Sequence, residues 1–295
     1  MVKKAVIPAA GFGTRLLPAT KSQPKEMLPI VDKPTIQYVV EEAVASGITD
    51  ILMIIGKGKR SIEEHFDRNF ELEHALAEKG KSELLAEIRA ITDLADIHFV
   101  WQKELNGLGD AIRYARHHVG NDPFAVLLGD SILTAKKEQP ITRQLIDIYD
   151  RYQAPVVALE DVDPALVYRY GVIGGKEIED RVYKVEEFVE KPAVEAAPSN
   201  LVIAGRYVFT ADIFSYLESQ ERGKNNEVQL TDAMARMLQD RAMYALHFEG
   251  ERFDVGNKLD FIKTNLRFGL NRADMRDDLI QWLAELNQEL SVKTE

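Results

Sequence analysis

Short apolar runs alternate along the chain with segments whose apolar residues recur every three or four positions. The runs are typical of buried strands, and the recurring pattern is typical of helices with one buried face. Strands are predicted at residues 5–7, 50–56, 97–102, 124–128, 155–159, 201–209 and 244–248. Helices are predicted after residue 34 and at residues 109–119, 142–153, 212–219 and 231–240. Because strands alternate with helices, we expect a mostly parallel sheet covered by helices on both faces.

Three stretches depart from this alternation. Residues 57–92 are polar and helical in pattern, and residues 170–191 predict two β segments around Gly174 and Gly175. The expected buried residues of the first stretch are Leu72, Leu76, Leu84, Leu85 and Ile88. Residues 272–289 predict a terminal amphipathic helix that docks on its own subunit or on a partner. Since no linker rich in proline, glycine or serine divides the chain, we expect one domain over residues 1–270 and a helical tail over residues 271–295.

The loop after the first strand has the composition of a phosphate-binding site. Residues 9–15 read AAGFGTR; glycine tolerates positive φ, so backbone N–H groups near Gly11 and Gly13 can point at one anion. Arg15 adds a planar fork of donors, and prolines at 18, 24, 29 and 34 favour an ordered loop that carries Lys25. The chain has a net charge of −11, yet its first forty residues hold six basic and only two acidic side chains. This asymmetry favours a small polyanionic ligand at the loop.

Two common phosphate-binding motifs are excluded. The dinucleotide motif GxGxxG begins at Gly11 and Gly13 but has Leu16 where its third glycine belongs. The motif GxxxxGK[ST] ends correctly at residues 80–82 but has Ala75 in its first glycine position. A structural turn with solvated lysines remains the alternative interpretation of the opening loop.

Two carboxylates follow apolar runs. Asp130 comes just past the strand at residues 124–128, after Gly129, and Asp254 follows another predicted strand. Ligands of open sheets bind beyond the carboxyl ends of the strands, so both acids face one crevice if both strands lie in the central sheet. Hard oxygen ligands in such a place suit Mg²⁺ bound together with phosphate. The alternative for each residue is a structural aspartate that caps a turn or a helix.

Two further strand ends carry polar side chains. Glu190 and Lys191 close the second of the β segments; a carboxylate accepts hydrogen bonds from sugar hydroxyls and an ammonium binds phosphate. A surface ion pair fits the same two residues equally well. Gln102 ends the strand at residues 97–102, and its amide offers a hydrogen-bond donor and an acceptor together.

The sequence AAGFGTR, followed by PKEMLPIVDKP, closely resembles the signature of the sugar-1-phosphate nucleotidylyltransferases, and the resemblance extends to about residue 261. It implies an α/β fold with a Rossmann-like mixed, mostly parallel central sheet, flanked by helices, with extra β structure over one edge. It also implies a Mg²⁺-dependent enzyme whose partners are UTP and glucose 1-phosphate. This chain has Gly129 before Asp130, where the family often has proline.

The resemblance assigns roles to the matching positions. The expected catalytic residues are Arg15, Lys25 and Asp130, and the expected metal ligands are Asp130 and Asp254. The expected nucleotide-binding residues are Ala9, Ala10, Gly11, Gly13, Glu26, Gln102 and Gly107. The expected sugar phosphate-binding residues are Gly171, Glu190, Lys191 and Gly205. Use of dTTP is an alternative, because thymine shares the hydrogen-bonding edge of uracil. A non-catalytic regulatory relative is another alternative, although such a protein should have lost Arg15 and Lys25.

The composition of the chain excludes several kinds of site and partner. The 295 residues are 45% hydrophobic and contain no cysteine, so a large core is possible while disulfides and thiolate metal sites are not. The acidic net charge argues against a nucleic-acid partner, and no stretch is long and apolar enough to span a membrane. We therefore expect a cytoplasmic protein without membrane or nucleic-acid partners. A homo-oligomer, a dimer or a tetramer, is a separate expectation.

Overall fold

The computed structural model describes residues 1–136, 139–219, 223 and 226–292. Its strands are β1 Lys4–Ala9, β2 Pro29–Ile30, β3 Lys33–Pro34, β4 Asp50–Ile55, β5 Asp96–Trp101, β6 Phe124–Leu127, β7 Ser131–Ala135, β8 Val156–Asp161, β9 Gly171–Glu179, β10 Val182–Glu190, β11 Leu201–Phe209, β12 Tyr244–His247 and β13 Gly250–Asp254. Its α-helices are α1 Thr35–Ala45, α2 Arg60–Phe66, α3 Phe70–Glu78, α4 Ser82–Thr92, α5 Leu108–Arg113, α6 Arg116–Val119, α7 Ile141–Tyr152, α8 Ile213–Glu218, α9 Leu230–Asp240, α10 Lys258–Leu270 and α11 Arg276–Val292.

A nine-stranded mixed sheet organises the molecule, in the order β5-β4-β1-β6-β11-β8-β12-β10-β9. The half made of β5, β4, β1 and β6 is parallel, and so is the pair of β8 and β12. The long strand β11 runs antiparallel between β6 and β8, and the hairpin of β9 and β10 forms the opposite edge. The predicted mixed α/β sheet with extra β structure at one edge is therefore confirmed.

Apolar side chains of the central strands fill both faces of the sheet. Successive strand residues point to opposite faces, so Ile7 joins one buried cluster while Val6 joins the other. Helix α1 covers the first face through Ile36 and Val40, and helix α9 covers the second through Met234. With both faces covered, the loops at the carboxyl ends of the strands remain for ligand binding.

The expected burial within residues 57–92 is wrong for Leu72 and Leu84, while Leu76, Leu85 and Ile88 are partly buried. Three separate helices occupy this stretch, and Leu72 and Leu84 are 45% and 47% exposed. The charged residue Glu73 is buried there instead, because Arg68 Nη2 and Arg89 Nε donate to its Oε2 at 2.8 and 2.9 Å. Helix α3 packs mainly on α4, and Leu72 and Leu84 lie where neither the partner helix nor the core covers them.

The terminal helix begins later than predicted, at Arg276 rather than at residue 272. Leu279 lies half-buried against Gly269 of α10, which docks α11 on its own chain, while Trp282 is 49% exposed. Residues 293–295 of the predicted tail lie outside the described residues, and the division into a domain and a tail stays a prediction. None of the described helices combines the length and the apolarity that crossing a bilayer requires.

Candidate active site

The opening loop packs on the segment that carries Lys25. Gly13 has a φ of 67°, and a Cβ there would lie only 3.1 Å from the Cβ of Lys25. A side chain at this position would therefore be strained and crowded. Leu16, which stands where the dinucleotide motif needs glycine, is buried in a 3₁₀ turn. The loop is thus an ordered wrap of short 3₁₀ turns, as its prolines predict.

Lys25 and Asp130 form the centre of the site. Asp130 lies between β6 and β7, beyond the carboxyl end of β6, and Lys25 Nζ donates to its Oδ2 at 2.5 Å. Burial alone would raise the pKa of Asp130, but the charge and the hydrogen bond of Lys25 outweigh it and hold this pKa below its usual range. Burial alone would lower the pKa of Lys25, whereas Asp130 and Glu26 raise it above its usual value. The pair is therefore ionised at neutral pH.

Asp254 lies beside Asp130, as predicted, but its strand is not part of the central sheet. Its strand β13 does not lie in the central sheet; it pairs with β7 in a separate two-stranded sheet, with Asp254 opposite Ser131. This pairing still brings Asp254 beside Asp130, because Ser131 directly follows Asp130. Asn257, rather than Asp254, caps α10 by accepting a hydrogen bond from the Asp260 N–H at 3.0 Å.

The two carboxylates converge on one point. A Cβ placed on Gly256 would lie 2.9 Å from Asp254 Oδ1 and 3.7 Å from Asp130 Oδ2. The Nη1 atom of Arg15 lies 3.9 Å from the same position, so two carboxylates and a guanidinium stand side by side. Two hard carboxylate ligands next to phosphate-binding groups fit Mg²⁺, which takes few protein ligands and completes its shell with phosphate oxygens and water.

A cleft of about 470 Å³, the Gln102 cleft, opens on one side of the Lys25–Asp130 pair. Its lining includes the predicted residues Ala10, Gly11, Gly13, Lys25, Glu26, Gln102, Gly107 and Asp130. Gln102 is buried, and its Nε2 donates to Asp110 Oδ2 at 3.0 Å, which fixes the orientation of the amide. Gly107 has a φ of 104°, and a Cβ there would lie 2.8 Å from the Val228 carbonyl, so only glycine fits.

Ala9 and Glu26, both expected to bind the nucleotide, have contacts that the sequence does not predict. Ala9 is the last residue of β1, and its side chain packs in the core rather than in the cleft lining. Glu26 lines the cleft but is almost fully buried, and Lys59 Nζ donates to its Oε2 at 2.7 Å. Burial raises the pKa of Glu26 and lowers the pKa of Lys59, against the mutual attraction of the two charges.

A second cleft of about 480 Å³, the Glu190 cleft, opens on the other side of the pair. Its lining includes the predicted residues Arg15, Lys25, Asp130, Gly171, Glu190, Lys191, Gly205 and Asp254. Glu190 is held from two sides, by Lys191 Nζ at 2.8 Å and by the Thr231 hydroxyl at 2.7 Å. A Cβ on Gly171 would lie 2.9 Å from the Thr231 Oγ1, so glycine keeps this cleft open.

Lys25 and Asp130 line both clefts. The residues expected to bind a nucleotide, apart from Ala9, surround one cleft, and those expected to bind a sugar phosphate surround the other. Ligands in the two clefts would therefore meet at this pair, with the carboxylates and Arg15 at the same junction.

Several residues at the clefts have no signal in the sequence. Thr231, Arg252 and Glu227 line the Glu190 cleft, and Glu227 also lines the Gln102 cleft. Glu227 and Thr231 lie four positions apart, just before α9 and in its first turn, and Arg252 lies in β13 two residues before Asp254. Their recruitment depends on the path of the chain over the sheet edge, which local patterns do not encode.

A buried arginine fixes the chain around Asp130. Arg206 is fully buried, and its guanidinium donates to the carbonyls of Leu128 at 3.4 Å, Ser131 at 2.8 Å and Gly205 at 3.0 Å. Its Nε and Nη2 also donate to Glu42 Oε2 at 2.9 and 2.7 Å. The contacts to residues 128 and 131 bracket Asp130, so this side chain positions the carboxylate between β6 and β7.

A mixed α/β sheet with a glycine-bearing loop after its first strand, and two clefts that meet at a lysine–aspartate pair, has the architecture of a nucleotidyltransferase. The chain belongs to the nucleotidyl transferase family, whose model matches residues 4–269.

Named relatives and solved structures resemble the whole chain. UTP–glucose-1-phosphate uridylyltransferases from Staphylococcus haemolyticus and Bacillus subtilis are 53% and 52% identical over 285 residues. These matches cover 97% of this chain and 98% and 97% of the relatives. A UTP-bound UGPase from Acinetobacter baumannii superposes with a TM-score of 0.89 at 41% identity, over 97% of this chain and 100% of the other. A UDP-glucose pyrophosphorylase complexed with UDP-glucose has a TM-score of 0.85 at 42% identity, over 92% of this chain and 100% of the other.

Proposed function

We propose that the chain transfers the uridylyl group of UTP to glucose 1-phosphate, giving UDP-glucose and pyrophosphate. The observation that carries this proposal is the pair of adjoining clefts that share Lys25 and Asp130. One cleft offers an oriented amide at Gln102 for a base, and the other offers Glu190 and Lys191 for a sugar phosphate. The names of relatives that are 52–53% identical over the full chain support UTP as the nucleotide.

The reaction is an in-line displacement. A phosphate oxygen of glucose 1-phosphate attacks the α-phosphorus of UTP, a new O–P bond forms, and the bond to the β-phosphate oxygen breaks to release pyrophosphate. No covalent intermediate with the protein is needed, so catalysis consists of positioning and charge neutralisation. Lys25 stands at the junction of the clefts, where it neutralises the reacting phosphates, and Arg15 adds a second cation on the same side. Lys191 directs the attacking phosphate from the Glu190 cleft.

Asp130 and Asp254 are the residues that would hold a divalent metal, and we propose Mg²⁺ for this site. Enzymes of this kind generally use a divalent metal. When bound, Mg²⁺ neutralises the charge of the triphosphate. Without a cation, two carboxylates at this point would repel the triphosphate, so their convergence near Gly256 supports the assignment. Lys25 is placed to exchange its contact with Asp130 for a phosphate oxygen once the substrates enter.

One assay separates this proposal from its two alternatives, the use of dTTP in place of UTP and a non-catalytic regulatory role. Uracil and thymine differ by a methyl group, and such a difference is worth only about 1–3 kcal/mol in a binding pocket. The experiment measures pyrophosphate release with glucose 1-phosphate and either UTP or dTTP, with and without Mg²⁺. We expect fast release with UTP and Mg²⁺ and slower release with dTTP. A preference for dTTP would indicate a thymidylyltransferase, and no release with either nucleotide would indicate a non-catalytic relative. The homo-oligomeric state and the cytoplasmic location remain predictions.

A further inference from the structure

Two histidines and an aspartate meet at the amino end of the parallel half of the sheet. Asp50 is the first residue of β4, His98 lies on the neighbouring strand β5, and His118 lies on α6. Their side chains each offer one ligand atom, and these atoms lie within 4.8 Å of one another. His118 Nε2 lies 2.7 Å from Asp50 Oδ1, His98 Nε2 lies 3.9 Å from the same oxygen, and the two imidazole centroids are 4.9 Å apart.

We propose that Asp50, His98 and His118 form a binding site for a borderline divalent metal of the zinc class. Imidazole nitrogen and carboxylate oxygen are ligands that Zn²⁺ prefers, with bonds of about 2.0–2.2 Å that place neighbouring ligand atoms roughly 3–4 Å apart. The observed spacings bracket this range, so small rotations of the exposed His98 side chain suffice to complete the set. The three protein ligands leave one tetrahedral position for water or another ligand.

The local charges are compatible with a cation at this point. The basic side chain of Lys4, which stands opposite Asp50 in the pairing of β1 and β4, is already engaged elsewhere. Its Nζ donates to the His118 carbonyl at 2.9 Å and pairs with Asp122 at 2.9 Å. Asp96 stands opposite Asp50 in β5 and adds negative charge on the same edge. Asp50 and Asp96 therefore place two carboxylates on the edge that carries the imidazole of His98.

This site is separate from the proposed active site. The clefts lie beyond the carboxyl ends of the strands, whereas Asp50 lies at the amino end of β4, roughly 17 Å away at about 3.3 Å per residue. Within the described part of the chain, the linings of both clefts do not include any of the three residues. A metal here would tie β4, β5 and α6 together, so its expected role is structural or regulatory rather than catalytic.

The test is a titration of the full-length protein with Zn²⁺, and in parallel with Co²⁺, in excess Mg²⁺. Mg²⁺ prefers oxygen ligands and would fill the proposed site at Asp130 and Asp254, which leaves the histidine site to the borderline metals. Calorimetry should show one saturable equivalent, the Co²⁺ complex should show visible absorption typical of nitrogen ligation, and Zn²⁺ should raise Tm. Binding should weaken as the pH falls, because imidazole must be unprotonated to bind a metal.

Substitutions make the assignment specific. His98→Gln and His118→Gln should each weaken Zn²⁺ binding by more than the roughly 10–100-fold that loss of an outer-shell partner costs. His117→Gln is the matched control, because His117 is the exposed neighbour of His118 and is absent from the cluster. If His118→Gln fails to fold, the more exposed His98→Gln still decides the question. Zn²⁺ binding equal to wild type in His98→Gln, or no saturable binding to the wild-type protein, would show that the three residues form only a hydrogen-bonded cluster.

Discussion

Glu42→Gln should destabilise the protein strongly, although the substitution nearly preserves the size and shape of the side chain and removes only its charge. Glu42 is the counter-charge of Arg206, whose side chain is fully buried, while the side chain of Glu42 is only 8% exposed. Without the carboxylate, the guanidinium remains buried and unpaired, and breaking such a pair typically costs about 3–5 kcal/mol. The Thr142 hydroxyl, which donates to Glu42 Oε1 at 2.6 Å, also loses its charged acceptor.

The matched control is Glu41→Gln, one position earlier in α1. Glu41 accepts from Lys33 Nζ at 2.8 Å, but both side chains are about one-third exposed, and such pairs contribute about 0–1 kcal/mol. The assay is equilibrium unfolding in urea, followed by fluorescence and by circular dichroism to check that the two transitions coincide. Glu42→Gln should lower the free energy of unfolding several times more than Glu41→Gln. Equal effects of the two substitutions would refute the assignment of Arg206 and Glu42 as a coupled buried pair.

Three further outcomes follow from the site. Lys25→Ala should lower kcat/KM roughly a hundredfold to a thousandfold, the typical effect of losing one donor that stabilises charge in the transition state. The control Lys21→Ala removes an exposed lysine of the same loop and should act like wild type. Near-normal turnover of folded Lys25→Ala would reject its role. Lys191→Ala should lose affinity for glucose 1-phosphate in calorimetry and keep affinity for UTP, and the reverse pattern would assign the lysine to the wrong substrate. The low pKa of Asp130 stabilises the fold above the ordinary aspartate pKa of about 4, and this stabilisation is lost as the pH falls through the lower folded value. The difference in unfolding free energy between wild type and Asp130→Asn should therefore shrink in acid, and a difference independent of pH would contradict this reading.

The parts of the fold that local patterns predict are those that depend on local physics. The apolar runs of β1, β4 and β6 and the stripe of α1 were predictable because burial requires those periodicities wherever the elements lie. The family was also predictable, because the glycine–arginine loop and Lys25 lie within one short stretch of the chain. The mixed sheet is confirmed as well.

The errors concern contacts between distant segments. An amphipathic pattern shows which face of α3 is apolar, but it does not show whether another layer covers that face, and Leu72 is exposed. The placement of Asp254 depends on the pairing of two short strands, β7 and β13, far apart in sequence. Lys59 and Arg206 would be expected at the surface by their charge, and they are buried only because Glu26 and Glu42 meet them from other elements.

The central claim is that reaction occurs at the junction of the two clefts, with Asp130 and Asp254 holding the metal. The most direct test is the initial rate of pyrophosphate release from UTP and glucose 1-phosphate, measured against Mg²⁺ concentration for the wild type, Asp130→Asn and Asp254→Asn. We predict that Asp130→Asn nearly abolishes turnover at every Mg²⁺ concentration, and that Asp254→Asn retains activity but requires more Mg²⁺ because water replaces its ligand oxygen. Full activity of Asp130→Asn at ordinary Mg²⁺, or an unchanged Mg²⁺ curve for Asp254→Asn, would contradict the proposed metal site.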